Sequence, residues 1–94
     1  MVTFFMFGKY SFVTPKEMSP ERTDKIVGLI KKFGGEVIAM YTLLGEKDLI
    51  FIVSFPETQQ AIKASVAVSK LTGISFSTSQ AVTIEEFDKM INEV

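Results

Sequence analysis

The 94-residue chain carries ten Lys and Arg against eleven Asp and Glu, a formal net charge of −1, and is 47% hydrophobic with a mean hydropathy of +0.29. Charges of both signs are interspersed, so there is no basic surface to bind phosphates through counterion release, and no nucleic-acid partner is expected. Cysteine and histidine are both absent, which removes disulfides, thiolate chemistry, His-ligated zinc or haem and Ser-His catalysis; no metal or cofactor is expected, and a reducing, cytoplasmic setting is the default.

This length fits a single domain over residues 1–94. A domain of this size buries only about two-thirds of its unfolded surface, so a high apolar content needs an outlet in an interface, a ligand cavity or a membrane. A membrane span is not expected: apolar runs such as Leu49 to Val53 are short, and a spanning helix needs roughly 20 such residues. Met1 to Phe7 is apolar but has no preceding basic region and no small-residue cleavage site, and reads as a first strand rather than a signal core.

That strand is predicted over Val2 to Tyr10, with Phe4, Phe5, Met6 and Phe7 apolar on both faces of the pleat. Ser11 to Met18, with Pro15, is a loop. Ser19-Pro20-Glu21 opens a helix: Ser19 caps, Pro20 suits the first position and Glu21 suits the positive dipole end. Ile26, Leu29, Ile30 and Phe33 recur at helical spacing, and Gly34-Gly35 stops the helix. Val37 to Leu44 and Asp48 to Phe55 are the next strands, joined at Gly45-Glu46-Lys47 and ended by Pro56. Both are apolar on each face, whereas an antiparallel strand with one wet face alternates apolar and polar residues.

A second helix follows from Glu57 to Thr72, with small residues facing the sheet: Ala61, Ser65, Val66 and Ser69 on one face, with Ala64, Val68 and Leu71 beside it. Gly73 caps it. Ile74 to Ala81 is a fourth strand, with Ile74, Phe76 and Thr78 on one side and Ser75, Ser77 and Ser79 on the other. Thr83-Ile84-Glu85-Glu86 is a capping box that opens a short last helix with an apolar face of Ile84, Phe87, Met90 and Ile91. The order β-α-β-β-α-β plus a helix predicts an α+β, ferredoxin-like plait: an antiparallel sheet in spatial order 4-1-3-2, its first two helices on one face. The doubly apolar first and third strands belong in the centre, and the serine-striped fourth at an edge. A second copy of the chain is the simplest cover for the other face.

Ser19-Pro20-Glu21-Arg22, Gly34-Gly35, Tyr41, Gly45, Asp48 and the Phe55-Pro56-Glu57 junction, in this order and spacing, resemble the GYD domain. That family is named for a Gly-Tyr-Asp signature near the hairpin, and the similarity runs from Thr3 to about Phe87. The resemblance implies a ferredoxin-like, dimeric α/β barrel. Where the family commonly has tyrosine before the aspartate, this chain has Lys47. Relatives in the wider barrel group include cofactor-free or haem-linked monooxygenases and ligand-sensing modules of transcription regulators, and fold does not choose between them.

Six residues are candidates for a site: Lys9, Tyr10, Tyr41, Asp48, Ser77 and Ser79. Each also has a plainer reading. Asp48 is a turn residue whose carboxylate takes backbone N–H groups. The two tyrosines are core or interface aromatics. Lys9 snorkels to water, and the serines blunt an edge strand. Three functions follow in order of preference. The first is a homodimeric small-molecule-binding or regulatory module with a small apolar ligand between sheets. The second is a structural assembly protein. The third is a cofactor-independent oxygenase or isomerase, which requires Lys9, Tyr10, Tyr41 and Asp48 to converge.

Overall fold

The structure, a computed structural model, describes residues 1–10 and 19–94. Its elements run β1 (Val2–Lys9), α1 (Pro20–Lys32), β2 (Glu36–Thr42), β3 (Leu49–Phe55), α2 (Thr58–Thr72), β4 (Ser75–Ala81) and α3 (Ile84–Asn92). All neighbouring strands pair antiparallel, in the order β2-β3-β1-β4, which is the predicted order read from the other edge. The fold is ferredoxin-like, with a C-terminal helix added. The loop read over Ser11 to Met18 lies outside the described residues.

The helix boundaries follow their local chemistry. The Ser19 hydroxyl accepts from the Arg22 N–H at 3.2 Å, with Pro20 opening α1. Gly34 takes φ 86° and lets the chain turn back, so that the Gly35 N–H reaches the Ile30 carbonyl at 3.0 Å. Gly73, at φ 74°, closes α2 in the same way on the Ser69 carbonyl at 2.8 Å. The Thr83 hydroxyl caps α3 by accepting from the Glu86 N–H at 3.0 Å.

Strand alternation divides the sheet into two unlike faces. Phe4 and Met6 of β1, with Leu49, Phe51, Val53 and Phe55 of β3, point to the helices and are buried. They pack with Ile26 and Ile30 of α1 and with Ala61, Ala64 and Val68 of α2. The alanines let α2 lie close to the sheet. Two details differ from the sequence reading. The buried stripe of α2 is Ala61, Ala64, Val68 and Thr72, while Val66 and Leu71 are exposed. Strand β2 ends at Thr42, and Leu43 donates its N–H to the Asp48 carbonyl at 2.8 Å, so the hairpin is one register longer than a Leu44–Asp48 pairing would make it. Tyr41 therefore stands opposite Ile50.

Several polar groups inside the helix layer are tied to backbone or to one another. Arg22 is buried, and its Nη2 donates to the Thr72 carbonyl at the C-terminal end of α2, where a cation meets the negative dipole end. The Thr72 hydroxyl donates to the Val68 carbonyl and accepts from the Ile74 N–H, and Ser65 of α2 shares a 2.8 Å hydrogen bond with Thr78 of β4. These bonds fix α2 over the β1–β4 half of the sheet.

Gly35 is a point of close approach: a Cβ built there would overlap the Phe55 ring, itself fully buried. Gly35→Ala is expected to destabilise the protein by about 1–3 kcal/mol, the usual cost of overpacking. Gly28→Ala, on the exposed side of α1 with open space around it, is expected to stabilise by about 0.5–1 kcal/mol. Urea unfolding midpoints check both; equal midpoints for the two variants would refute the packing account.

Candidate functional site

The face of the sheet away from α1 and α2 is built by register. Four residues stand abreast in each of three rows, one from each strand in the order β2, β3, β1, β4. The first row is Glu36, Ser54, Thr3 and Ala81; the second is Ala39, Ile52, Phe5 and Ser79; the third is Tyr41, Ile50, Phe7 and Ser77. Lys9 and Ser75 pair beyond the third row. The centre of this face is apolar, with the Phe5 and Phe7 rings 6.3 Å apart. Its β4 edge is a line of hydroxyls, because Phe76 and Thr78 take the helix side of that strand. Tyr41 closes the β2 edge with 57% of its surface exposed. Among the described residues no element of the chain lies over this face: the elements packed on the core are α1 and α2, and α3 has no buried residue.

A cleft of about 300 Å³ opens at one end of the face, lined by Thr3, Phe5, Ala81, Val82 and Glu86 among others. It lies where β1 and β4 meet the first turn of α3. Its volume is at the lower end of what small-molecule sites occupy.

At the other end the candidate residues are engaged with the hairpin. The Asp48 carboxylate accepts from the Tyr10 N–H at 2.7 Å, and the Asp48 N–H donates to the Gly8 carbonyl at 2.9 Å. Lys9 Nζ donates to the Glu46 carbonyl at 2.8 Å. Three bonds thus fasten the 43–48 connection to the end of β1, and the plainer reading of Asp48 as a turn residue accounts for its contacts. The Tyr10 side chain packs against the helix-side core.

The six sequence candidates therefore separate. Tyr41, Ser77 and Ser79 share the open face, with Ser77 in the row of Tyr41 and Ser79 in the row of Phe5. Lys9 sits at its margin. Tyr10 and Asp48 belong to the hairpin fastening. Lys9, Tyr10, Tyr41 and Asp48 do not meet in one place, so the constellation that an enzyme would need is not formed by them. Sequence reasoning passed over Phe5, Phe7, Ile50 and Ile52 as site residues. Their signal was present in the apolar positions alternating with the buried Phe4, Met6, Phe51 and Val53.

Asp48→Ala is expected to lower stability by about 1–3 kcal/mol, since it deletes a charge-assisted bond and leaves the Tyr10 N–H without that acceptor. Thermal unfolding checks this, and hydrogen exchange at the Tyr10 amide should accelerate in the variant. An unchanged exchange rate would show that the carboxylate does not hold the strand end.

The chain matches the family model described as the GYD domain over residues 2–91. No curated protein sequence matches it significantly. Among solved structures its fold is similar to that of FFRP-DM1, at 24% identity and a TM-score of 0.63, over 87% of this chain and 100% of that one. It is also similar to the leucine response regulatory protein LrpA of Mycobacterium tuberculosis, at 11% identity and a TM-score of 0.58, over 87% of this chain and 51% of that one. An AsnC family transcriptional regulator from Agrobacterium tumefaciens is similar at 19% identity and a TM-score of 0.58, over 87% of this chain and 50% of that one. This chain spans about half the length of those two regulators. At such identities the likeness is one of fold.

Proposed function

The chain belongs to the GYD domain family, and from that premise we propose that it works as a homodimeric ligand-binding or regulatory module whose two open sheet faces enclose the binding space. The observation that carries this reading is the open face itself. Ile50, Ile52, Phe5 and Phe7 form a contiguous apolar centre that no element of the described chain covers. A small protein that leaves such a patch wet loses about 25 cal/mol for each Å² it fails to bury. A second copy, related by a two-fold axis, presents the same surface and covers it.

The chemistry of the enclosed space follows from the rows. In the second and third rows its floor is aromatic and aliphatic and its polar groups are the hydroxyls of Tyr41, Ser77 and Ser79, while the first row adds Thr3, Ser54 and, at the β2 edge, Glu36. Hydroxyls orient a ligand by donating and accepting hydrogen bonds but carry no charge to neutralise one. The ligand class is a small, mostly apolar molecule with one or two hydrogen-bonding groups. The regulatory part of the reading draws support from the names of two proteins of the same fold, a leucine response regulatory protein and a transcriptional regulator. The separation of Lys9, Tyr10, Tyr41 and Asp48 weighs against a catalytic reading.

Sedimentation velocity tests the pairing. The wild-type protein is expected to run as a dimer at micromolar concentration, and Ile52→Glu, which puts a charge at the middle of the face, is expected to run as a folded monomer. A wild-type monomer would remove the proposal.

Native mass spectrometry of protein taken from its source tests the ligand. A bound small molecule is expected, one or two per dimer, and Tyr41→Phe with Ser77→Ala should weaken its retention by about three- to tenfold through lost hydrogen bonds. Retention unchanged by both substitutions would place any ligand elsewhere.

A further inference from the structure

We propose that the free edge of β4 and the adjoining flank of α2 form one self-association surface: a second copy pairs its β4 antiparallel with this one, and the two α2 helices pack across the seam. The surface lies at the edge and on the helix side of the sheet, so it is separate from the open face and does not rest on the reading of that face. Strand β4 ends the sheet, and its seven residues, Ser75–Ala81, include no charge and no proline and pair with β1 without a register break. The opposite edge, β2, carries Glu36 and a register shift between Val37 and Ala39. Charges, prolines and bulges are what keep a strand edge from pairing with another chain, and β4 has none of them. Among the described residues nothing lies along that edge: α3 leaves from the end of β4 and meets the chain around Thr3 and Phe5.

On the helix side the same edge borders a groove of about 350 Å³, lined by Ile62, Ser65 and Val66 of α2 and by Phe76 and Thr78 of β4 among others. Ile62 and Val66 are 59% and 50% exposed. They face outward because Ala61, Ala64 and Val68 of the same helix take the core. The 2.8 Å hydrogen bond between Ser65 and Thr78 sets this part of α2 beside the middle of β4. One boundary of the chain thus combines a strand with a free row of backbone N–H and C=O groups and a helix with bare apolar side chains.

The occupant follows from this combination. An extended peptide pairs with β4 and leaves Ile62 and Val66 wet, and a lone helix covers those two and leaves the strand unpaired. Meeting both takes a strand and a helix at the same offset, which is what a second copy presents. Strands lie about 4.8 Å apart and the sheet carries two helices over four strands, so the helices recur about every 10 Å, a spacing at which helices pack. Because α2 stands over the β1–β4 half, a copy added at the β4 edge brings its own α2 to about that distance. A two-fold axis perpendicular to the sheet keeps both helix layers on one side. Pairing the whole of Ser75–Ala81 puts Thr78 on that axis, with Ser77 opposite Ser79 and Phe76 opposite Gln80, and every side chain stays on its own face. The axis then passes beside Ser65, and Ile62 and Val66 meet the same two residues of the second copy. An edge about 24 Å long and two layers deep gives on the order of 1,000 Å² in all, the lower limit for a specific contact, so the pairing forms at higher concentration than a standard-sized interface needs.

Two measurements test the edge. The chain has no native cysteine, so Thr78→Cys places a single thiol on the axis, where opposed Cα atoms lie about 4.5–5.5 Å apart and a disulfide can close. Thr78 faces the helix layer, so contact between open faces cannot bring two copies of it together. Mild oxidation of concentrated protein is expected to convert most of the Thr78→Cys variant to a covalent dimer, while Gln80→Cys, on the same side of the strand but off the axis, stays uncrosslinked. Sedimentation velocity over a concentration series then compares wild type with Ile62→Glu/Val66→Glu, whose sites are exposed and whose fold is followed by circular dichroism. Wild type is expected to show an association step at high concentration that the double variant weakens by about 100-fold. The same step is expected to persist in Ile52→Glu, which separates it from pairing through the open face. Absence of the Thr78 disulfide, equal crosslinking of both cysteine variants, or a double variant that associates like wild type overturns the edge pairing and leaves the sheet-face dimer standing.

Discussion

The structure depends on a sheet that is apolar on both sides. Strands β1 and β3 carry large hydrophobic residues on both sides of the pleat, and their central place in the sheet gives each of them two faces to bury. Helices α1 and α2 cover one face and bury it almost completely. Nothing in the described chain covers the other. The free-energy cost of leaving that face wet grows in proportion to its apolar area. The proposed function is a response to this single imbalance.

The polar residues sort by the same geometry. Those near the hairpin serve the fold: Asp48 and Lys9 spend their hydrogen bonds on backbone groups of β1 and of the 43–48 connection. Arg22 and Thr72 secure the junction of α1, α2 and β4. What remains on the open face is apolar at its centre, with Ser77, Ser79 and Tyr41 as hydroxyls at its edges and Glu36 at one corner. Such a surface is the basis of the binding function proposed above. The fold is shared with proteins named as regulators, but fold alone does not carry function between proteins this distant.

The three helices illustrate how little amphipathicity says about destination. Helices α1 and α3 are capped by a side-chain hydroxyl, α2 opens at Glu57 without a side-chain cap, and all three have an apolar stripe. Helices α1 and α2 follow strands whose crossovers return over the sheet, so their stripes land on it. Helix α3 follows the edge strand β4, and among the described residues its stripe does not return to the sheet. Its composition resembles that of the packed helices, and its place in the chain order is what differs.

Much of this was legible from the residues in order. Ser19-Pro20, Gly34, Gly73 and Thr83 marked the helix ends because capping is local chemistry, decided within three or four residues. The doubly apolar runs of β1 and β3 set their central positions, and the serine stripe set β4 at an edge, because a pleat with period two assigns faces directly. The chain order alone then implied the 4-1-3-2 sheet. Tertiary structure decided what depends on distance between remote residues. It gave the hairpin register that puts Tyr41 opposite Ile50, the rotation of α2 that exposes Val66 and buries Ala64, and the division of Lys9, Tyr10, Tyr41 and Asp48 between two environments. It also left α3 bare. The reason is the same in each case: a local pattern specifies which side of an element is apolar, but only the packed chain specifies what that side meets.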